Sequence, residues 1–178
     1  MSSGVEPLPR VLLCGAAGWL GSAILEALVA TDSWSVRAFD TDPQQWAPWT
    51  GLPSGSPWRS NRVELRYGSI ADYGTVRALV EGCDAVIHAA AWQPGISGPH
   101  STGEVPDAVE AAVGDIPWLV NVKGLWNLLD CAAAVGSVRR FVHIGSCHTV
   151  WPGERPISRP IRISKTLLTS IDQFLGTS

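Results

Sequence analysis

The feature that most constrains the fold of this chain is the stretch "VLLCGAAGWLGSAILEAL", residues 11–28. An apolar run ends at Gly15. Gly18 and Gly21 follow at intervals of three, and Leu20, Ile24, Ala27 and Leu28 then recur with helical period. This is a strand, a tight turn and an amphipathic helix in direct succession. Gly15 suits the turn, Gly18 lets a pyrophosphate approach the backbone, and Gly21 lets the helix pack close to the strand. Free N–H groups and a partial positive charge at the helix start would face the phosphates. Trp19 and Leu20, between the second and third glycines, complete this candidate binding set.

A dinucleotide site of this kind needs a carboxylate at the end of the second strand to accept the adenosine ribose hydroxyls. Asp40 ends the run "SVRAFD", 19 residues after Gly21. Its charge would repel a 2′-phosphate, which favours NAD over NADP. Asp42 is the weaker alternative. Strand alternation puts Arg37 on the opposite face from Asp40.

Beyond this unit, "RVLLCG" (10–15), "SVRAFD" (35–40), "DAVIHAAA" (84–91) and "RFVHIGS" (140–146) read as buried strands, with "RVELRYG" (62–68) a weaker fifth. Val76, Leu79 and Val80 form a helical stripe, and Trp118, Val122, Leu125, Trp126 and Leu129 form another. Apolar strands alternating with amphipathic helices predict an α/β protein, a Rossmann-type doubly wound parallel sheet with helices on both faces. The expected division is an N-terminal tail over 1–9 and one NAD-binding domain over 10–178. Two Pro- and Gly-rich stretches, 41–60 with Trp46, Trp49 and Trp58, and 92–107, read as long loops.

The 178 residues are 46% hydrophobic and 16% charged, enough for one core. A net charge of −3 without like-charge blocks argues against a nucleic-acid or anionic membrane surface. No apolar run is long enough to span a bilayer, and the N-terminus lacks a basic stretch followed by an apolar one, so no signal peptide is expected. Cys14, Cys83, Cys131 and Cys147 form no CxxC pair and no metal-ligand cluster, and the first three fall within or beside apolar segments. They are expected to be reduced core residues in a cytoplasmic protein, with no metal.

The glycine spacing, "VIHAAA", "NVKGLWNLLDCAAAVGSVRRFVHIGS" and "ISKTLL", in that order, together resemble the extended short-chain dehydrogenase/reductase family and its NAD-dependent epimerase/dehydratase branch. The resemblance covers nearly all of residues 10–175. It implies an adenine-contacting role for Ser69 and Ile70, in "GSIAD" where the family carries "GDIxD". It implies a backbone surface for the cofactor at Ala89, Ala90 and Ala91. It implies that Asn121 supports the active-site geometry. Asp72 matches the last acid of the adenine pattern and also suits a helix N-cap. His88 is expected simply to fill its strand.

The departures from the family pattern concern catalysis. At the end of the fifth strand the family's Ser/Thr position holds Cys147, with Ser146 before it and His148 after it. In "IRISK" Lys165 matches the lysine of the YxxxK motif, where it would hold the nicotinamide ribose. Ile161 stands in the place of the tyrosine, and neither Tyr67 nor Tyr73 matches the motif. Family members continue beyond this helix into a lobe that binds a nucleotide-sugar, so the C-terminal substrate lobe is expected to be missing here. They also pair through two helices, which implies a homodimer through helices near 117–135 and 161–175. Two readings stand side by side: an NAD(H)-binding domain of a nucleotide-sugar-type enzyme, or a non-catalytic NAD-binding regulatory or interaction module.

Overall fold

The computed structural model describes residues 7–41, 60–92 and 115–145. Five strands form one parallel sheet: β1 (Arg10–Cys14), β2 (Ser35–Asp40), β3 (Val63–Tyr67), β4 (Ala85–His88) and β5 (Arg140–His143), in the order β3-β2-β1-β4-β5. Helix α1 (Trp19–Ala30) joins β1 to β2, and α2 (Tyr73–Val80) joins β3 to β4. Before β5 lie a short α3 (Ile116–Trp118), a π-helical segment (Leu119–Gly124) and α4 (Leu125–Val135), running one into the next. The strand order reverses direction between β1 and β4. Ligands of such sheets bind there, outside the carboxyl ends of the strands.

Strand alternation divides the core into two layers. Val11, Leu13, Val36, Ala38, Ala85 and Ile87 face Ile24, Leu25 and Leu28 of α1. Leu12, Cys14, Phe39 and Val86 face Val76, Leu79 and Val80 of α2 and Leu128, Cys131 and Ala132 of α4. Both faces of β1, β2 and β4 are therefore covered, which explains why these strands read as continuous apolar runs. Cys14, Cys83 and Cys131 are free and buried, as their apolar neighbours implied. Burial pushes all three thiols up, away from the reactive thiolate.

Two expectations need correction. "RFVHIGS" does not make a buried strand. Its strand is only Arg140–His143, and Arg140 and His143 are exposed because β5 forms an edge of the described sheet. The apolar stripe of Trp118, Val122, Leu125, Trp126 and Leu129 does not face the core either. Trp118, Val122, Trp126 and Leu129 are exposed, Trp126 to 67%. The helix instead buries its small and polar side, Gly124, Asn127, Leu128, Cys131 and Ala132, because it lies close against α2 and the segment before it.

Arg37 occupies the face opposite Asp40, as alternation required. Its guanidinium is buried, ion-paired with Glu64 at 3.0 Å, and donates to the carbonyls of Leu79 and Glu81 at the end of α2. A fixed cation there satisfies carbonyls that the helix end leaves free. Burial works to raise the Glu64 pKa, but hydrogen bonds from Arg37 and Arg66 outweigh it and hold the carboxyl below its usual range.

Candidate dinucleotide site

The three glycines have different reasons to be glycine. Gly15 ends β1 with φ +81°, and a Cβ there would stand 2.5 Å from the Ala90 nitrogen. The turn thus crosses directly over the segment leaving β4. A Cβ on Gly21 would lie 1.9 Å from the Gly15 carbonyl oxygen, so helix and turn touch backbone to backbone. Gly18 differs from both. Its φ is −69°, and among the described residues a Cβ would meet only the Gly15 carbonyl, at 3.2 Å. Packing requires little of Gly18, and the space its missing side chain leaves is at the start of α1. Among the described residues no side chain caps that helix end, and no acid stands in its first turn. The arrangement fits a pyrophosphate, which supplies the acceptors that the N-terminal amides lack.

Asp40 sits at the end of β2 beside this turn. One carboxylate oxygen accepts the Ala17 N–H at 2.8 Å, and the other accepts the Thr41 N–H at 2.8 Å. These bonds fix the carboxylate against the glycine turn and leave lone pairs for further donors. Leu20 packs its side chain into the core layer beneath α1, so it offers only backbone, whereas the Trp19 ring is 86% exposed at the mouth of the turn.

On the other side of the crevice, the Ala89 N–H donates to the Cys14 carbonyl at 2.9 Å, and Ala90 lies under Gly15. Ala89 and Ala90 are half-buried and Ala91 is exposed. Asn121 projects from the π-helical segment and makes a two-point bond to the next backbone unit: its Oδ1 accepts the Trp92 N–H at 2.8 Å and its Nδ2 donates to the Trp92 carbonyl at 2.9 Å. The segment leaving β4 is thereby tied to the helix. Ser69 and Ile70 follow β3, next to Asp40, with Gly68 N–H donating to the Asp40 carbonyl at 3.0 Å. Asp72 is the N-cap of α2, its carboxylate accepting the Thr75 N–H at 2.6 Å, and that bond lowers its pKa.

His88 does fill its strand. It is 1% exposed and stacks on His143 of β5 at 5.2 Å between ring centroids. Its Nδ1 has no partner among the described residues. Burial, with a smaller contribution from His143, lowers its pKa to about 4. Ser146, Cys147, His148, Ile161 and Lys165 lie outside the described residues, as do the tryptophans of the 41–60 stretch. So the structure brings Gly15, Gly18, Trp19, Leu20, Gly21, Asp40, Ser69, Ile70, Ala89, Ala90, Ala91 and Asn121 to the carboxyl side of one sheet.

One residue escaped the sequence reading. Asn127 is 3% exposed and its Nδ2 donates to the Ile70 carbonyl at 2.9 Å. Its signal was position. It follows Gly124 by three residues and stands in line with Leu128 and Cys131, on the side of the helix that turned out to be buried.

Parallel order, a glycine turn at the switch point and an acid at the end of β2 define a Rossmann-type dinucleotide-binding fold. The sequence pattern of the NAD dependent epimerase/dehydratase family matches residues 11–170, and the chain belongs to that family. It is 32% identical over 147 residues to a 3 beta-hydroxysteroid dehydrogenase/Delta 5→4-isomerase of Mycobacterium tuberculosis, covering 83% of this chain and 34% of that protein. A short-chain dehydrogenase/reductase superfamily protein from Agrobacterium tumefaciens, solved with bound NAD, is 31% identical with a TM-score of 0.55, covering 85% of this chain and 36% of that one. The dTDP-glucose 4,6-dehydratase of Streptomyces venezuelae, solved with NAD and TYD bound, is 28% identical with a TM-score of 0.53, covering 75% and 38% respectively. The chain therefore spans little more than a third of the length of these relatives. No helix among the described residues is long and apolar enough to cross a membrane, and no group of three metal-ligating side chains is found among them.

Proposed function

We propose that this chain is the NAD(H)-holding part of a nucleotide-sugar-type epimerase/dehydratase protein. The observation that carries the reading is Gly18: an uncapped helix start with room for a ligand, set beside a carboxylate already fixed to the turn. Gly15, Gly18 and Gly21 with the first-turn amides hold the diphosphate, Asp40 the adenosine ribose, Ser69 and Ile70 border the adenine, and Ala89, Ala90 and Ala91 form the backbone surface beneath. Lys165 holds the nicotinamide ribose. NAD, when bound, supplies a hydride acceptor. Asp40 favours it over NADP because a 2′-phosphate would meet a carboxylate.

Catalysis does not follow from these residues. Ile161 has no proton to hold where the family uses tyrosine, and positioned acid–base catalysis supplies about 10²–10⁴-fold. Ser146, Cys147, His148 or water would have to take that part. Ile161 is also the observation that favours the second reading, a cofactor-holding module without turnover. A sugar nucleotide is the proposed substrate class of the whole assembly, supported by the dehydratase relative.

The outward face of Trp118, Val122, Trp126 and Leu129 supports a homodimer through the helices near 117–135, with 161–175 as the second pair. The three buried, free thiols support the cytoplasmic setting.

Calorimetric titration tests the reading. The chain should bind NAD, bind NADP at least about tenfold more weakly, and lose NAD on Gly18→Val. Binding of neither cofactor would overturn both readings. Reduction of bound NAD by a panel of nucleotide-sugars separates an enzyme from a module.

A further inference from the structure

We propose that Asn127 is a positioning residue for the adenine end of the cofactor site, acting through the Ile70–Ala71 peptide on the Ser69 hydroxyl. The proposal rests on the NAD-binding reading above. It starts from the location of the Gly68–Asp72 turn. This turn is bonded to Asp40 through the Gly68 N–H at 3.0 Å. If Asp40 holds the adenosine ribose, the segment beside it borders the base that the ribose carries.

The turn has one peptide unit pinned at both ends. The Ile70 carbonyl accepts from Asn127 Nδ2 at 2.9 Å. The N–H of the same unit, on Ala71, donates to Ser69 Oγ at 3.2 Å. The orientation that Asn127 imposes on the carbonyl therefore also aims the N–H that holds the Ser69 oxygen. With its oxygen accepting from Ala71, the hydroxyl keeps its proton to donate outward. In this chain Ser69 replaces a charged acceptor by a neutral group, so its contribution depends on being aimed correctly.

Two observations make this more than a packing contact. A buried amide among Leu128, Cys131 and Ala132 is costly unless bonded, and its Nδ2 bond goes to a turn 57 residues away. Gly124, three residues earlier, makes the reach possible: a Cβ there would stand 2.5 Å from Ile70 Cγ1. The helix presses on the Ile70 side chain at Gly124 and holds its carbonyl at Asn127. Asp72 fixes the far end of the turn to α2.

The test is a double-substitution cycle on the full 178-residue chain, read as affinity for AMP and NAD. Asn127→Leu should keep the melting temperature within a few degrees and weaken both ligands about tenfold, the scale of one hydrogen bond. Ser69→Ala should cost about as much. The double variant should be no weaker than Ser69→Ala alone, a coupling that a merely structural role would not produce. If Asn127→Leu fails to fold, Gly124→Ala replaces it, because it displaces Ile70 and should give the same loss coupled to Ser69. Unchanged AMP affinity in a folded variant, or losses that simply add, overturns the proposal alone. A wild-type chain that binds neither AMP nor NAD overturns the cofactor reading, and this proposal with it.

Discussion

Gly18 and Gly21 stand three residues apart in the same turn, yet substituting them should give opposite results. Gly21→Ala places a methyl against the Gly15 carbonyl at 1.9 Å and should cost more than about 3 kcal/mol of stability. Gly18→Ala should cost less than about 1 kcal/mol, because its Cβ meets one atom at 3.2 Å, while weakening NAD about tenfold. Thermal unfolding paired with NAD titration reads both. His88 makes a prediction about pH. Its folded pKa of about 4 lies below the ordinary value of 6.5, so the unfolded chain takes up a proton first as pH falls. The stabilising contribution is complete above pH 6.5 and is lost as pH drops toward 4, by roughly 3 kcal/mol. Urea unfolding across that range should show His88→Gln losing less stability than the wild type. Equal slopes would contradict the assignment. The turn made by the glycines, with Asp40 beside it, was legible because their spacing fixes where they fall on strand, turn and helix. Asn127 was not, since an amide in a helical stretch gives no sign of which carbonyl, 57 residues away, it will reach.

At the scale of elements, the strands could be read from their apolar runs, with bounds within three residues, and α1 from the helical period of Leu20, Ile24, Ala27 and Leu28. The π-helical segment Leu119–Gly124 could not be. Its widened turn has no hydrophobic period of its own, and it coincides with the Asn121 bond to Trp92 and the Gly124 contact with Ile70. The outward stripe shows a different limit. Period identifies that Trp118, Val122, Trp126 and Leu129 share a face, but not what that face meets. Here the core takes the small side, since close approach to Ile70 admits no side chain at Gly124. If the exposed face joins two copies, Trp126→Glu should shift the chain from dimer to monomer in sedimentation velocity with little change in melting temperature. A wild-type monomer would refute the pairing. Tyr73, whose hydroxyl donates to Asp130 at 2.7 Å, latches α2 to α4 on the same side of the sheet.

For the whole molecule, the fold places a dinucleotide crevice at the β1–β4 switch point, outside the carboxyl ends of the strands. The groups proposed to bind the cofactor sit at strand ends, in the turns that follow them and in the first turn of α1. Ser146, Cys147 and Lys165 lie in the chain after β5. The central claim is that Asp40 and the glycine turn form a site for NAD, and the ratio of NAD to NADP affinity tests it most directly. Asp40→Asn keeps one oxygen to accept the Ala17 N–H, and removes the charge together with the acceptor for the Thr41 N–H. The wild-type chain should prefer NAD by at least about tenfold, and the Asp40→Asn variant should lose most of that preference. An NAD preference that survives the substitution unchanged, or is absent from the wild type, would contradict the account.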